Sequence, residues 1–218
     1  MFNTHPTATL YVFAYNGLTA NTHISIVQEM DGWNNLAHSV IGGDALVSRA
    51  RSRAAGLFLK EGVGDVMLMV DHDVSWLPGD LSRIARKALE MRSVVGGVYP
   101  KRTFGKGMAV KMEGDPLFEF RVDRLYDAQY VSGGFMAVPR EVLEAIAPTL
   151  PMLDEGYAPF FMPMVLDGEY ISEDWALCER ARIVGYAVLA DMMPVLCHEG
   201  SWVFEAEDAV RQIRPALV

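Results

Sequence analysis

The sequence predicts an α/β domain built on a mixed, mostly parallel central sheet flanked by helices, and three observations carry that prediction. Through the first 100 residues, apolar runs of strand length alternate with segments of helical period, the order that a parallel sheet with right-handed crossovers produces. The runs VMLMV (66–70) and VVGGVY (94–99) are continuous rather than alternating, as expected of strands covered on both faces. The 218 residues, 51% apolar and 22% charged, suffice for one sizeable core, and no shift in composition divides them.

Taken in order, residues 9–15 (TLYVFAY) predict a first strand, closed by the turn pair Asn16-Gly17. Asn21 and Thr22 can cap a helix to Met30, with Ile24 and Val27 on its inner face. Residues 36–41 predict a second strand. Asp44 is placed to cap a long helix ending at Gly62 or Gly64, in which Leu46, Ala50, Ala54, Leu57 and Phe58 keep helical spacing while Arg49, Arg51 and Arg53 fall largely elsewhere. The strand at 66–70 then runs into Asp71 and Asp73. Pro78, Gly79 and Asp80 open a helix to Met91, and residues 93–99 predict another buried strand. Beyond Pro100 the rhythm changes, and Lys101, Arg102, Lys106 and Lys111 lie in a loop or hairpin. Residues 129–138 read as a strand broken at Gly133-Gly134, followed by a helix from Pro139 to Ile146. Residues 147–170 hold four prolines with Phe160, Phe161, Met162 and Met164 in no clean period, the mark of a functional or mobile loop. Ser172 caps a helix that stops at Gly185, a strand follows at 187–190, apolar residues 195–197 lead to His198, and the tail from Glu205 suits a terminal helix.

Charge and cysteine content narrow the function classes. A net charge of −9 argues against non-specific nucleic-acid binding, which needs a basic surface. Two cysteines, Cys178 and Cys197, cannot build a disulfide framework and suit a reducing, cytoplasmic setting. The N-terminus has no basic region of the signal-peptide kind, and no apolar run approaches the roughly 18 residues of a membrane span.

The chemistry gathers at three places. Asp71 and Asp73 end a buried strand, where α/β sheets bind ligands, and alternation lets both point the same way. Asp80 already serves the next helix, so these two carboxylates are left over, and two so close repel unless a cation or proton intervenes. A divalent metal that carries a phosphate fits them. His198 suits a core or capping role when taken alone; beside two acids it suits a Mn2+-like ion. Glu173 and Asp174, in the first turn of a helix, favour the helix dipole and equally suit a general base.

Together, VDHDV (70–74) after a strand, VSGGFMAVPREVLEAI (131–146), SEDWALCERARIVGY (172–186) and LCHEG (196–200) resemble the nucleotide-sugar glycosyltransferases of the A-type (GT-A, Rossmann-like) fold, and the small family-2-like phage or bacterial members most. The resemblance implies that Asp71 and Asp73 form the DxD motif, with Asp73 on the metal and Asp71 on the ribose or a metal-bound water, and that His198 completes the metal site. It implies Asp174, with Glu173 beside it, as the base of an inverting transfer. Gly133 and Gly134 would lie under the donor sugar, and residues 147–170 would form an acceptor loop or lid. It further implies Mn2+ or Mg2+ as cofactor and a nucleoside-diphosphate sugar, first a UDP-sugar, as donor. Residues 1–100 would then form the nucleotide-sugar half of a single domain spanning 1–218, residues 101–204 the acceptor half and residues 205–218 a tail. Asn16 is the candidate for a nucleobase contact and Arg49 or Arg51 for the diphosphate, with a solvated helix face as the plainer reading of both arginines. His72, inside the acidic motif, can touch the nucleotide or stand by. The acceptor stays open among glycans, lipid-linked sugars and a hydroxymethylated phage DNA base. Two other readings compete, a nucleotidyltransferase and a non-catalytic nucleotide-sugar-binding module; the first normally carries a glycine-rich basic loop after its first strand, and TLYVFAYNGLTANT has none.

Overall fold

A computed structural model of the chain describes residues 5–105, 107–113 and 119–209. Strand β1 (Ala8–Ala14) is followed by α1 (Ala20–Gly32), β2 (Leu36–Gly42), α2 (Val47–Glu61), β3 (Val66–Asp71) and β4 (Val74–Ser75). Then come α3 (Asp80–Met91), β5 (Val94–Gly97), β6 (Val110–Met112), β7 (Leu125–Val131), β8 (Phe135–Pro139) and α4 (Arg140–Ile146). The described chain closes with β9 (Met164–Leu166), β10 (Glu169–Ile171), α5 (Glu173–Ile183), β11 (Val188–Asp191), β12 (Cys197–Glu199) and β13 (Val203–Phe204). Eight strands form the central sheet in the order β2-β1-β3-β8-β5-β11-β7-β6. Six run one way; β8, inserted between β3 and β5, and β7 run the other.

Both faces of the sheet are covered, as the continuous apolar runs require. Along β3, Met67 and Met69 pack with α2, α4 and α5, while Val66, Leu68 and Val70 pack with α1 and α3. All five are fully buried. Among the described residues, no helix is long and apolar enough to cross a membrane.

Several sequence expectations need correction. Helix α1 begins at Ala20, with Thr19 as its cap accepting from Thr22 N, and Ile24 and Val27 are half exposed. Its buried face sets three polar residues, Thr22, Ser25 and Glu29, beside Ile26. They satisfy backbone groups that would otherwise be orphaned around the β4–α3 turn. Thr22 donates to Val74 O, Ser25 Oγ donates to Trp76 O and accepts from Trp76 N, and Glu29 accepts from Gly79 N and Ser82 N at the start of α3. Helix α2 starts at Val47 rather than at Asp44, whose carboxylate instead accepts from Leu46 N and pairs with Arg49. The strand expected over 129–138 is broken at Gly133-Gly134 as expected, but its two halves, β7 and β8, lie in different parts of the sheet. Within 147–170, Ala158, Phe160 and Phe161 belong to the core, and Arg180 holds the carbonyls of Phe160 and Met162. The exposed parts include Met152, Met162 and, on the β9–β10 hairpin, Val165 and Tyr170. The tail forms a 3-10 turn at Ala206–Ala209; its expected terminal helix beyond residue 209 and the basic side chain of Lys106 lie outside the described residues.

Candidate functional site

Strand β3 delivers Asp71 to the carboxyl edge of the sheet, where its amide donates to Gly134 O and the next amide, His72 N, donates to Phe13 O. The chain then turns into β4, and β4 pairs antiparallel with β12, setting His198 opposite Val74. That pairing brings His198, 125 positions along the chain from Asp73 by their numbers, to within 3.6 Å of it, Nε2 to Oδ1. His198 Nδ1 lies 2.9 Å from Pro100 O. A carbonyl oxygen only accepts, so Nδ1 carries a proton, and Nε2 faces Asp73. A backbone partner of this kind is what orients a metal-binding histidine.

Asp73 is buried, and its Oδ2 accepts from Arg102 Nη1 at 2.7 Å. Burial works against its charge, but His198, His72 and Arg102 outweigh it and hold the carboxyl below its usual range. Asp71 has a different partner. Arg51 Nη2 donates to Asp71 Oδ1 at 2.6 Å, and Arg51 Nη1 donates to Glu173 Oε1 at 2.8 Å. Burial opposes the charge on this guanidinium, but Asp71, Asp174 and Glu173 reverse that and push its pKa upward. The reading of Arg51 as a solvated or diphosphate-facing residue is therefore corrected: it is 2% exposed and cross-links the β3 and α5 acids. Residues Arg51, Ala54, Ala55 and Phe58 share the buried face of α2, and this i, i+3, i+4, i+7 series was the available sequence signal.

The two glycines before β8 make room for this network. A Cβ at Gly133 would stand 2.4 Å from Arg51 Nη1, and one at Gly134 would stand 2.2 Å from Tyr99 Oη and 2.9 Å from Asp71 Oδ2. Buried Tyr99 donates to Ser132 Oγ, Ser132 donates to Asp174 Oδ2, and the Tyr99 ring stands edge-on to His198 at 5.1 Å. Neither Tyr99 nor Ser132 was singled out by sequence, because each lies in an apolar strand context that a core role explains.

Asp174 accepts four hydrogen bonds: Ser132 Oγ and Gly133 N on Oδ2, Ser172 Oγ and Trp175 N on Oδ1. Those fill the lone-pair positions of a carboxylate. Glu173 is engaged only through Oε1 by its neighbours among the described residues, and burial raises its pKa against the lowering effect of Arg51. Among the described residues, Glu173 thus keeps an oxygen without a hydrogen-bond partner, whereas Asp174 has none to spare.

A cleft of about 460 Å³ opens at this edge, lined by Asp71, His72, Asp73, His198, Lys101 and Arg102 among others, with Glu173 and Asp174 behind its lining. Asn16 is exposed beside it and does not line it. Arg49, paired with Asp44, faces a separate groove with Arg53 and Tyr157. Among the described residues no three His, Cys, Asp or Glu side chains lie close enough to hold a cation unaided. The Asp73 carboxylate and His198 Nε2 supply part of a coordination shell, which fits an ion whose remaining positions are filled by phosphate oxygens and water.

No protein-family model matches the chain, and no curated protein matches it in sequence. Solved structures match it in fold. A197 from STIV aligns with a TM-score of 0.61 at 19% identity, over 96% of this chain and 99% of its own. GalNAc-T7, solved with UDP, GalNAc and Mn2+, aligns with a TM-score of 0.57 at 12% identity, over 93% of this chain and 45% of its own. The fold is that of the A-type glycosyltransferases. The mannosyltransferase PcManGT from Pyrobaculum calidifontis, solved with GDP-Man and Mn2+, shares it with a TM-score of 0.50 at 16% identity, over 87% of this chain and 58% of its own. This chain therefore spans about half the length of those two enzymes. In the A-type fold as this chain builds it, Asp71, Asp73 and His198 come together at the sheet edge, with Gly133, Gly134, Glu173 and Asp174 adjoining them through Arg51 and Ser132.

Proposed function

We propose that the chain is a metal-dependent glycosyltransferase that moves a sugar from a nucleoside diphosphate, first UDP, to an acceptor hydroxyl with inversion. The carrying observation is the Asp73–His198 pair, its histidine tautomer held by Pro100 O, at the mouth of a cleft that also contains Lys101 and Arg102. Asp73 and His198 would hold a Mn2+ or Mg2+ ion, which when bound supplies positive charge to a departing diphosphate. Lys101 and Arg102 offer further cations to the same leaving group. Arg51 keeps Asp71 fixed through one oxygen, so the other can orient the donor. An acceptor hydroxyl has a pKa far above neutrality and needs a base as it attacks; Glu173 is the group that fits. Asp174 holds the Gly133 amide and Ser132 in place for close approach of the sugar. The exposed β9–β10 hairpin, next to α5 in the chain, is the part of 147–170 suited to meet an acceptor.

A screen of UDP-, GDP- and dTDP-sugars with Mn2+, reading nucleoside diphosphate release with and without acceptors, tests the reading. Release that depends on Mn2+ and is lost in His198→Gln supports it. Release of pyrophosphate would favour a nucleotidyltransferase, and binding without release a non-catalytic module. Glu173→Gln is expected to lower transfer about 100-fold or more, the scale of a general base, with donor binding unchanged.

A further inference from the structure

Asp71 and Asp73 are paired with two cations of opposite exposure. Arg51, with 3% of its side chain exposed, is gripped by Asp71 and Glu173 and closed in by Gly133. Arg102 reaches Asp73 Oδ2 at 2.7 Å, yet 53% of its side chain is in solvent, while the Asp73 side chain beneath is only 7% exposed. The Arg102 stem crosses the backbone of Gly200, where an added Cβ would stand 3.2 Å from Cδ. No other described residue holds its guanidinium. The backbone on either side is tied down independently, Lys101 N to Gly107 O, Gly105 N to Asp208 O and Gly107 N to Ala209 O. Rotation of one side chain is thus enough to uncover Asp73.

We infer that Arg102 is an exchangeable counter-ion: it covers Asp73 in the cation-free protein, yields Oδ2 to an incoming divalent cation, and turns to the diphosphate that arrives with it. The inference rests on the proposed metal- and nucleotide-binding function. Lys101, Arg102, Asp73 and His198 line one cleft, so the released guanidinium is already beside the anion. A guanidinium and a divalent cation compete for Oδ2, whereas a diphosphate attracts both. Nucleotide that draws Arg102 away therefore improves cation binding, and linkage requires the cation to improve nucleotide binding by the same factor.

The test is a Mn2+ titration of the full chain by electron paramagnetic resonance, without nucleotide and then with UDP or GDP, for the wild type, Arg102→Ala and Arg102→Gln. Without nucleotide, both variants are expected to bind Mn2+ about two- to fivefold more tightly, the scale on which a half-exposed ion pair competes. With Mn2+ saturating, they are expected to bind the nucleoside diphosphate about tenfold more weakly, as loss of a charge-assisted bond predicts. Mn2+ affinity that is unchanged or weaker in the variants overturns the inference while leaving the proposed function standing. So does Mn2+ that binds none of the proteins alone but is recruited equally to all by nucleotide. If the wild type binds Mn2+ under neither condition, the proposed function itself fails and the inference with it.

Discussion

At the scale of single residues, Arg51 does most to hold the site together, although its charge had marked it as a surface residue. Its guanidinium makes the fork that two carboxylates on different elements need, a geometry one ammonium cannot copy. Removing one member of a buried charge network strands the others. Arg51→Met is expected to lower unfolding stability by about 3 kcal/mol or more in urea titrations, with an unchanged denaturant slope. Arg51→Lys should lose less, because it keeps one of the two partners. Equal stability for wild type and Arg51→Met would mean that Asp71 and Glu173 do not depend on this cation. The acids Asp71, Asp73, Glu173 and Asp174 were legible in the sequence because charges at the end of a strand or the start of a helix interrupt the apolar pattern. Arg51 was not read so, since its charge, between Arg49 and Arg53, outweighed the helical spacing that sets it on the face of Ala54, Ala55 and Phe58.

At the scale of elements, the site depends on how β4 and α3 are seated. Asp80 opens α3, and its Oδ2 accepts from Leu77 N and Val195 N, joining the helix start to the segment that leads into β12. Burial raises its pKa to about 6 against those two hydrogen bonds, with Glu29 and Asp191 adding to the rise. The folded pKa is above the unfolded one, so the folded state favours the protonated acid. That stabilising share is complete below the ordinary carboxyl pKa of 3.8 and is lost as pH rises through about 6. Asp80→Asn keeps an acceptor and cannot ionise. Relative to wild type, it is expected to gain stability between pH 4 and pH 7.5 in parallel denaturation curves; a constant difference across that range would refute the assignment. The helices α3 and α5 and the strands β1, β2, β3 and β5 could be found from apolar runs and end signals, within a few residues. The β4–β12 pairing could not, because strands of two and three residues carry no periodic signal and their register is a long-range matter. Helix α1 was found but its inward face was not, because Thr22, Ser25 and Glu29 there serve backbone groups and share that face with Ile26.

At the scale of the whole molecule, the resemblance predicted the architecture but left the acceptor open, and overall charge bears on that choice. The molecule carries −9, and the cations that line the cleft, Lys101 and Arg102, are few, with Arg102 already paired to Asp73. The other basic groove, with Arg49 and Arg53, is offset by Asp44 and Glu155 on its own walls. Binding to duplex DNA draws on released counterions, one for each phosphate neutralised, and a surface of this composition has little with which to release them. Duplex DNA, hydroxymethylated or not, is therefore expected to show no retention at ~150 mM salt tighter than about 10 µM, within the range of weak non-specific binding. Electrophoretic mobility shift across a salt series reads this directly. Retention tighter than that, with a steep salt dependence, would reinstate a modified DNA base as acceptor, whereas its absence directs the acceptor search to uncharged glycan hydroxyls, whose approach to Glu173 meets no long-range repulsion.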